Sequence, residues 1–231
     1  MNFYIVSIDW GKKKRFACGC LEEVFNFNRT ICLNCGIEIV APNNDQLFED
    51  KTWNVKMYMD RCHYADFINS QIRKIVSERA KEVLIDHFNN AVDFADIEMI
   101  SLRDLTAEKL KAIRDWSGYT AVKKIPNDPP QYFRLLLKQG ADLDFEKSNV
   151  ELVLNCPTCG RKDYKHPIGN FNLETNETTW PPIYIIESSW KGYDIFYIEG
   201  KGNTVFCTER FFEIYSQNKL TGLEFRQISV S

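Results

Sequence analysis

The sequence predicts an α+β protein built from two similar strand-strand-helix-strand halves that are joined around a shared four-cysteine site. Three observations predict this fold class. The pentapeptide CxxCG occurs twice, a Ser/Thr-Glu-Arg tripeptide twice precedes a one-sided helical pattern, and alternating apolar stretches flank both copies. The chain of 231 residues is 44% hydrophobic and 26% charged, which is typical of an ordered globular protein with ample material for a core.

Composition excludes several classes of protein. The formal net charge is −3 and the pI about 5.7, so the chain lacks the broad positive field that drives non-specific phosphate binding. No apolar run approaches the roughly 20 residues that span a bilayer, and the N-terminal apolar stretch precedes its charges, the reverse of a signal peptide. We therefore expect a cytoplasmic protein, folded as a single compact domain over residues 1–231, with no membrane contact.

Four of the eight cysteines form two copies of one pentapeptide, Cys32–Gly36 and Cys156–Gly160. Thiols in the cytosol stay reduced, so metal binding or burial is expected in place of disulfides. Two cysteines spaced by two residues place both sulfurs on one ion, and two such knuckles complete a closed, structural site like that of a zinc ribbon. The predicted ligands of one zinc ion per chain are Cys32, Cys35, Cys156 and Cys159. Because such an ion contributes folding free energy on the order of 10 kcal/mol, losing one cysteine is expected to be felt throughout the fold.

Other interpretations of the cysteines stay open. A redox-active CxxC precedes a helix, whereas Ile37–Val40 alternates and is β-branched, which predicts a strand. Metal-free burial is the second alternative. The pair Cys18 and Cys20 is expected to be buried or to lend a ligand to the metal, and Cys62 and Cys207 are expected in strands.

An internal duplication is the simplest explanation of the repeated motifs. The pentapeptides are 124 residues apart, and Val76-Ser-Glu-Arg79 matches Cys207-Thr-Glu-Arg210 at a displacement of 131 residues. We therefore predict pseudo-repeats over residues 31–100 and 150–231, each ordered as CxxCG, strand, turn, strand, Ser/Thr-Glu-Arg, helix, strand. Chance similarity is the alternative.

Local patterns predict the helices and the strands around them. Ser77 and Thr208 are good N-caps, and the glutamate after each favours the positive helix end. Apolar residues then recur on one helix face, and His87 lies on that stripe. Upstream strands are predicted at residues 64–68 and 193–197. Residues 222–228 alternate with period 2, which predicts a strand with one exposed face.

The segment between the pseudo-repeats, residues 101–149, is predicted to be a connector with structure of its own. A helical pattern begins at Thr106 and continues to Trp116. Residues 126–130, which contain three prolines, are expected to form a turn or loop. Residues 131–137 then have the pattern of a strand.

These features resemble those of a known family. The two CxxCG motifs about 120 residues apart, the Ser/Thr-Glu-Arg before each helix and the C-terminal Leu220–Phe225 strand are similar to the bacterial double-CXXCG motif proteins, the immunity proteins of Sit-type toxin systems. The resemblance covers nearly the whole chain, most loosely its first 30 or so residues. It implies a cytoplasmic bacterial protein that binds and neutralises a cognate toxin. It carries over a role only for Cys32, Cys35, Cys156 and Cys159.

An enzymatic function is not expected. The sequence contains no HExxH, no GxSxG, no P-loop and no Rossmann glycine pattern. A zinc deaminase needs HxE and PCxxC, but Asn155 precedes Cys156. Toxin binding requires aromatic or arginine anchors, and no motif selects among the candidate tryptophans. These are Trp10, Trp53, Trp116, Trp180 and Trp190.

The alternative function is a zinc-ribbon module that binds nucleic acid or regulates another protein. Its support is local and consists of short basic runs, of which one lies beside the second knuckle. These runs are Lys12–Arg15, Lys123–Lys124 and Arg161–Lys162 with Lys165. Short charge runs are usually solvated faces, and an acidic pI provides no field behind them, so nucleic acid is not the expected partner.

Overall fold

A computed structural model of the chain describes residues 1–9, 16–21, 28–41, 55–70, 73–111, 129–167, 169–172, 177–179, 181–201 and 204–230. Strands predominate in these residues, and helices are few, so the fold belongs to the α+β class. The strands are β1 (Phe3–Ile8), β2 (Gly19–Leu21), β3 (Asn28–Ile31), β4 (Glu38–Ala41), β5 (Val55–Met59), β6 (Phe67–Ser70), β7 (Arg73–Ser77), β8 (Val92–Met99), β9 (Tyr132–Leu137), β10 (Asp142–Leu143), β11 (Glu151–Asn155), β12 (Lys162–Lys165), β13 (Asn170–Asn172), β14 (Glu177–Thr179), β15 (Tyr184–Ile186), β16 (Ile195–Tyr197), β17 (Val205–Thr208) and β18 (Leu223–Val230). Two α-helices lie wholly within the described residues, α1 (Glu78–Phe88) and α2 (Glu209–Gln217), residues 107–111 are also helical, and short 3₁₀ turns occupy Leu102–Asp104 and Glu187–Ser189.

The first large sheet is a closed barrel of six strands in the order β2-β5-β8-β9-β7-β6. Strand β9 lies between β7 and β8 and is antiparallel to both, whereas β5 and β8 are parallel. One face of these strands forms a buried cluster that fills the barrel. Its members include Val55, Met57, Met59, Ile68, Ile75, Ile97 and Tyr132.

The second large sheet, which we call the open sheet, has six strands in the order β10-β15-β18-β1-β17-β16. Strand β1 lies between β17 and β18 and is antiparallel to both, whereas β15 and β18 are parallel. A bridge between Gln139 and Tyr197 brings the two edges of this sheet together. One face carries a second buried cluster, which includes Phe3, Ile5, Ile185, Phe196 and Phe206.

A third buried cluster joins both sheets to both helices. The outward faces of the two sheets contribute to it, and each helix buries its apolar stripe there. The rings of Phe88 in α1 and Phe211 in α2 have centroids 5.3 Å apart. The helices therefore pack into a core that the two sheets share.

The predicted N-terminal ends of both helices are confirmed, although the two caps differ in detail. The hydroxyl of Ser77 accepts a hydrogen bond from the backbone N–H of Ala80 at 3.2 Å, as an N-cap should. Thr208 occupies the same position before α2, but its hydroxyl makes no cap hydrogen bond and donates to Asp194 at 2.6 Å. Position is thus predictable from sequence, whereas the partner of the hydroxyl depends on the tertiary fold.

Several other predictions meet the structure with mixed results. The predicted strands at residues 37–40, 131–137 and 222–228 are confirmed as β4, β9 and β18, and Cys207 lies in β17. Cys62, predicted in a strand, is an exposed bend residue, because β6 begins only at Phe67. His87, predicted on the apolar stripe, is exposed because it lies beside Phe88, which takes the buried position.

The predicted connector contains ordered elements. Residues 107–111 are helical, as expected, and Trp116 and Pro126 lie outside the described residues. Strand β9 is not peripheral, since it occupies the middle of the barrel between β7 and β8.

Three two-stranded hairpins complete the described structure, namely β3-β4, β11-β12 and β13-β14. The first two carry the CxxCG motifs in their turns. Among the described side chains, no residue of β11 or β12 is a fully buried core member, although Tyr164 of β12 packs, partly buried, against the cluster of the open sheet. The second motif is therefore carried by a hairpin that lies at the edge of this core.

Candidate metal centre

Each CxxCG motif forms the turn of its hairpin with the same backbone hydrogen bonds. In the first motif the N–H of Cys32 donates to the carbonyl of Ile37 and the N–H of Gly36 donates to that of Cys32, at 2.9 and 2.8 Å. The second motif repeats both bonds at 2.9 Å, from Cys156 to Arg161 and from Gly160 to Cys156. The glycines have φ values of 68° and 71°, in the left-handed region that glycine adopts without strain.

The fold brings the four cysteines of the two motifs together. The Sγ atoms of Cys32 and Cys156 are 3.7 Å apart, and those of Cys35 and Cys159 are 3.8 Å apart. All four sulfur atoms lie within 4.8 Å of one another. Ligands 2.3 Å from a tetrahedral zinc ion are separated by about 3.8 Å, so the thiols fit such an ion closely.

Hydrogen-bond donors surround two of the sulfur atoms. The side-chain amide of Asn34 donates to Sγ of Cys156 at 3.5 Å, and this bond, together with the backbone N–H groups of Cys159 and Thr158, lowers the pKa of the Cys156 thiol to about 6. The backbone N–H groups of Cys35 and Asn34 lower the pKa of the Cys32 thiol. Because a metal binds the thiolate and not the thiol, these donors favour the metal-binding form.

The donor set defines what the centre can do chemically. Four protein thiolates occupy every position of a tetrahedral ion, which leaves none for water or substrate. Cys32 and Cys156 are buried, whereas Cys35 and Cys159 are partly exposed. Such a site can hold a metal ion that ties two hairpins together, and it is not arranged for hydrolysis at the metal.

The remaining cysteines lie outside this cluster. Burial raises the pKa of the Cys20 thiol to about 12, and it raises the pKa of the Cys207 thiol well above its usual range. The backbone N–H of Cys18 donates to the carboxylate of Asp60 at 2.7 Å, and Asp60 pairs with Arg61. Neither Cys18 nor Cys20 belongs to the group of described residues that could hold the metal.

Two of the three basic residues beside the second motif have acidic partners. Arg161 pairs with Asp163 at 2.8 Å and Lys162 pairs with Glu199 at 2.6 Å. The basic runs at residues 12–15 and 123–124 lie outside the described residues. Near this motif, therefore, two of the three basic side chains are already neutralised.

Of the candidate tryptophans, only Trp190 lies within the described residues. It is partly buried, it packs edge-on against Phe3 with centroids 5.8 Å apart, and its indole N–H donates to the carbonyl of Tyr193 at 2.9 Å. Both contacts hold it within the protein. Trp190 therefore belongs more to the core than to an open surface.

Exposed apolar side chains around the two motifs are a feature that the sequence analysis missed. Leu33 is 100% exposed and Ile31 is 68% exposed, while Val153 and Leu152 are 54% and 45% exposed. The ladder between β11 and β12 shifts register between Leu152 and Leu154, so that Val153 lies in a bulge. The sequence does contain a signal for Leu33, because this apolar residue lies within the first motif and belongs to no periodic apolar pattern.

Comparison with protein-family models gives no match to this chain, and no curated protein sequence matches it. Within the described part of the chain, no helix is both long and apolar enough to cross a bilayer. We therefore base the functional proposal on the cysteine centre and on the motifs that form it.

Proposed function

We propose that this protein is an immunity protein that binds and neutralises a cognate bacterial toxin, and that one structural zinc ion holds its two CxxCG hairpins together. The observation that carries the proposal is the closed group of four thiols, formed by two CxxCG motifs that resemble those of the double-CXXCG proteins. A closed thiolate site stabilises structure and offers no position for catalysis. The protein then acts by binding, without turnover of its own.

Zinc is the metal that we propose for this centre. Tetrahedral sites of four thiolates select zinc or iron. Zinc is redox-inert and has no geometric preference of its own, which suits a site whose task is to tie two hairpins. An iron centre of this kind would colour the protein, so the absorption spectrum separates the two metals.

We further propose that two similar halves meet at this centre and that each provides one hairpin. The identical turn hydrogen bonds of the two motifs support this arrangement. So does the pairing of sulfur atoms, since both close pairs join cysteines that are 124 residues apart. One ion then binds two cysteines from each half.

The surface around the centre supports a binding role. Contiguous exposed apolar surface usually marks an interaction site. The exposed side chains of Leu33 and Ile31 on one hairpin, and of Val153 on the other, contribute little to the cores of this molecule. We propose that they contribute to the toxin-binding surface.

The zinc-ribbon nucleic-acid module is less well supported. Phosphate binding requires unpaired cations, and each one used contributes to the salt dependence of binding. Beside the second motif, Arg161 and Lys162 are paired with carboxylates. Retention on heparin at moderate salt would favour this alternative.

Co-expression with the product of the adjacent gene tests the immunity function. We expect protection from that toxin only when the immunity protein is present in at least stoichiometric amount, because inhibition is by occlusion. Leu33→Asp should weaken protection while leaving the metal content unchanged, since this side chain has no contacts to lose. Cys62→Ser, at an exposed cysteine outside the centre, is the matched control and should protect fully. Protection at far below one molecule per toxin molecule would contradict the binding mechanism.

A further inference from the structure

The strand in the middle of each large sheet comes from a distant part of the chain. In the barrel, β9 separates β7 from β8, although those two strands are joined in sequence by α1. In the open sheet, β1 separates β17 from β18, which are joined by α2. In each sheet, the two strands of a strand-helix-strand unit thus lie on either side of a third strand, which is the first strand of the other part of the chain.

The two sheets are equivalent in order and direction. We match the described strands that precede residue 100, in chain order, to those that follow residue 131, leaving aside the hairpin β13-β14, so that β1 matches β9 and β8 matches β18. Replacing each strand of the barrel by its match gives the strand order of the open sheet. Directions agree as well: β2-β5 and β10-β15 are antiparallel, β5-β8 and β15-β18 are parallel, and β6-β7 and β16-β17 are antiparallel. Even the parallel closure of the barrel at Gly19 and Ser70 has a counterpart in the bridge from Gln139 to Tyr197.

The register of the enclosed strands is equivalent too. In the barrel, Val92 of β8 pairs with Leu137 of β9. In the open sheet, Leu223 of β18 pairs with Ile8 of β1. Leu223 lies 131 positions after Val92, and Ile8 lies 129 positions before Leu137. All five residue pairs of the β8-β9 ladder have counterparts in the β18-β1 ladder at these same displacements. A shift of the pairing by one residue would turn every side chain to the opposite face of the sheet, so the identical register implies that the two sheets pack in the same way.

We infer that the chain consists of two strand-exchanged halves, residues 3–99 and 132–230, and that the surface between them is an obligate interface that fits only a half of the same topology. This inference rests on the proposed pair of halves and extends it, because the repeats then include β1 and β9 and not only the segments that follow the motifs. The molecule is in effect a fused, strand-swapped dimer, whose pseudo-twofold relation exchanges Cys32 with Cys156 and Cys35 with Cys159.

Reciprocal side-chain contacts follow the same symmetry. Arg79, at the start of α1, pairs with Asp66 and donates to the carbonyls of Asn218 and Lys219, beyond the end of α2. Arg210, at the start of α2, pairs with Asp194 at 2.6 Å and donates to a carbonyl in the last turn of α1, that of His87, at 3.3 Å. Each arginine thus pairs with an aspartate of its own half, which is buried at Asp66 and partly buried at Asp194, and donates to the helix C-terminus of the other half.

Neither half can complete its fold alone. Without the exchanged strand, each sheet would expose two long ladder edges in its middle, which is an aggregation hazard. The cluster shared by both helices and both sheets would also be opened, and its members come from both halves, among them Phe67, Phe88, Phe133, Ile195 and Phe211. The two halves are therefore expected to fold and to unfold together.

Cleavage of the full chain between the halves tests this inference. A specific protease site is introduced into the sequence between residues 111 and 129. The purified, folded protein is then cut at that site under native conditions. We expect the two fragments to elute together at the volume of the intact chain and to melt in one transition. Elution of two separate folded fragments would overturn the inference.

Native-state hydrogen exchange on the unmodified chain gives a second test that needs no variant. Amides of β1, β17 and β18 should open with the same free energy as those of β7, β8 and β9, because both sheets share the interface. Two sheets that open at clearly different free energies would overturn the inference. Metal content and toxin protection are measured separately, so failure of the strand exchange is distinguishable from failure of the proposed function.

Discussion

The sulfur atoms of Cys32 and Cys156 lie 3.7 Å apart, although 124 residues separate the two cysteines in the chain. Cys35 and Cys159 repeat this relationship at 3.8 Å. The separation is that of two ligands on one tetrahedral zinc ion. The protein therefore presents the four thiols in an arrangement that could hold a metal ion, at the turns of two hairpins.

Metal removal should loosen the hairpins more than the cores. The proposed zinc ion would tie β3-β4 to β11-β12, and the described side chains of β11 and β12 include no fully buried member of the core clusters. We therefore expect the loss of the metal, or of one cysteine ligand, to destabilise mainly the two hairpins, whereas the sequence alone predicts an effect on the whole fold. After chelation, hydrogen exchange should increase in residues 28–41 and 151–165 and change little in β1 and β17. Loss of protection in every strand at once would contradict this prediction.

Gly222→Ala should destabilise the protein strongly, by about 3 kcal/mol. Gly222 has φ of 99°, and a Cβ there would collide with the carbonyl oxygen of Phe67. Gly192→Ala is the matched control, because Gly192 has φ of 81° with no atom within 4 Å of an added Cβ. The control should cost only about 1 kcal/mol, the strain of the left-handed backbone. Urea unfolding measures both, and equal costs would show that the contact with Phe67 is unimportant.

Asp66→Ala should lower the free energy of unfolding by about 3 kcal/mol. The buried carboxylate accepts hydrogen bonds from the hydroxyl of Ser77 and from both the N–H and the hydroxyl of Thr221, each at 2.9 Å. Removing it leaves these donors without their acceptor. Asp66→Asn keeps one oxygen and should cost less. Asp86→Ala, on the exposed face of α1, is the control and should change stability little; an Asp66→Ala variant as stable as this control would contradict the prediction.

The local sequence is sufficient to predict helix starts and tight turns, because these depend on interactions between neighbouring residues. The helix starts after Ser77 and Thr208 and the positive φ of Gly36 and Gly160 follow from residue type and spacing. The four-cysteine group also follows, because a repeated ligand pattern implies a common ion wherever the chain carries it.

Long-range pairing could not be predicted in the same way. The central positions of β1 and β9 depend on partners far along the chain, such as Thr208 for Phe3, and no local pattern encodes that choice. The exposure of His87 has a similar origin, since the shared core accepts Phe88 and leaves its neighbour in solvent. The exposed Leu33 is a further case, because its side chain packs in no core and no periodic pattern predicts its exposure.

The zinc content of the purified protein is the measurement that tests the central claim most directly. Elemental analysis of protein prepared without added metal should find one zinc ion per chain and no iron, both in the unmodified protein and in Cys62→Ser. Cys156→Ser removes one of the four ligands and should fall well below this ratio. An unmodified protein that contains no tightly bound zinc, or a Cys156→Ser variant that retains a full equivalent, would contradict the account.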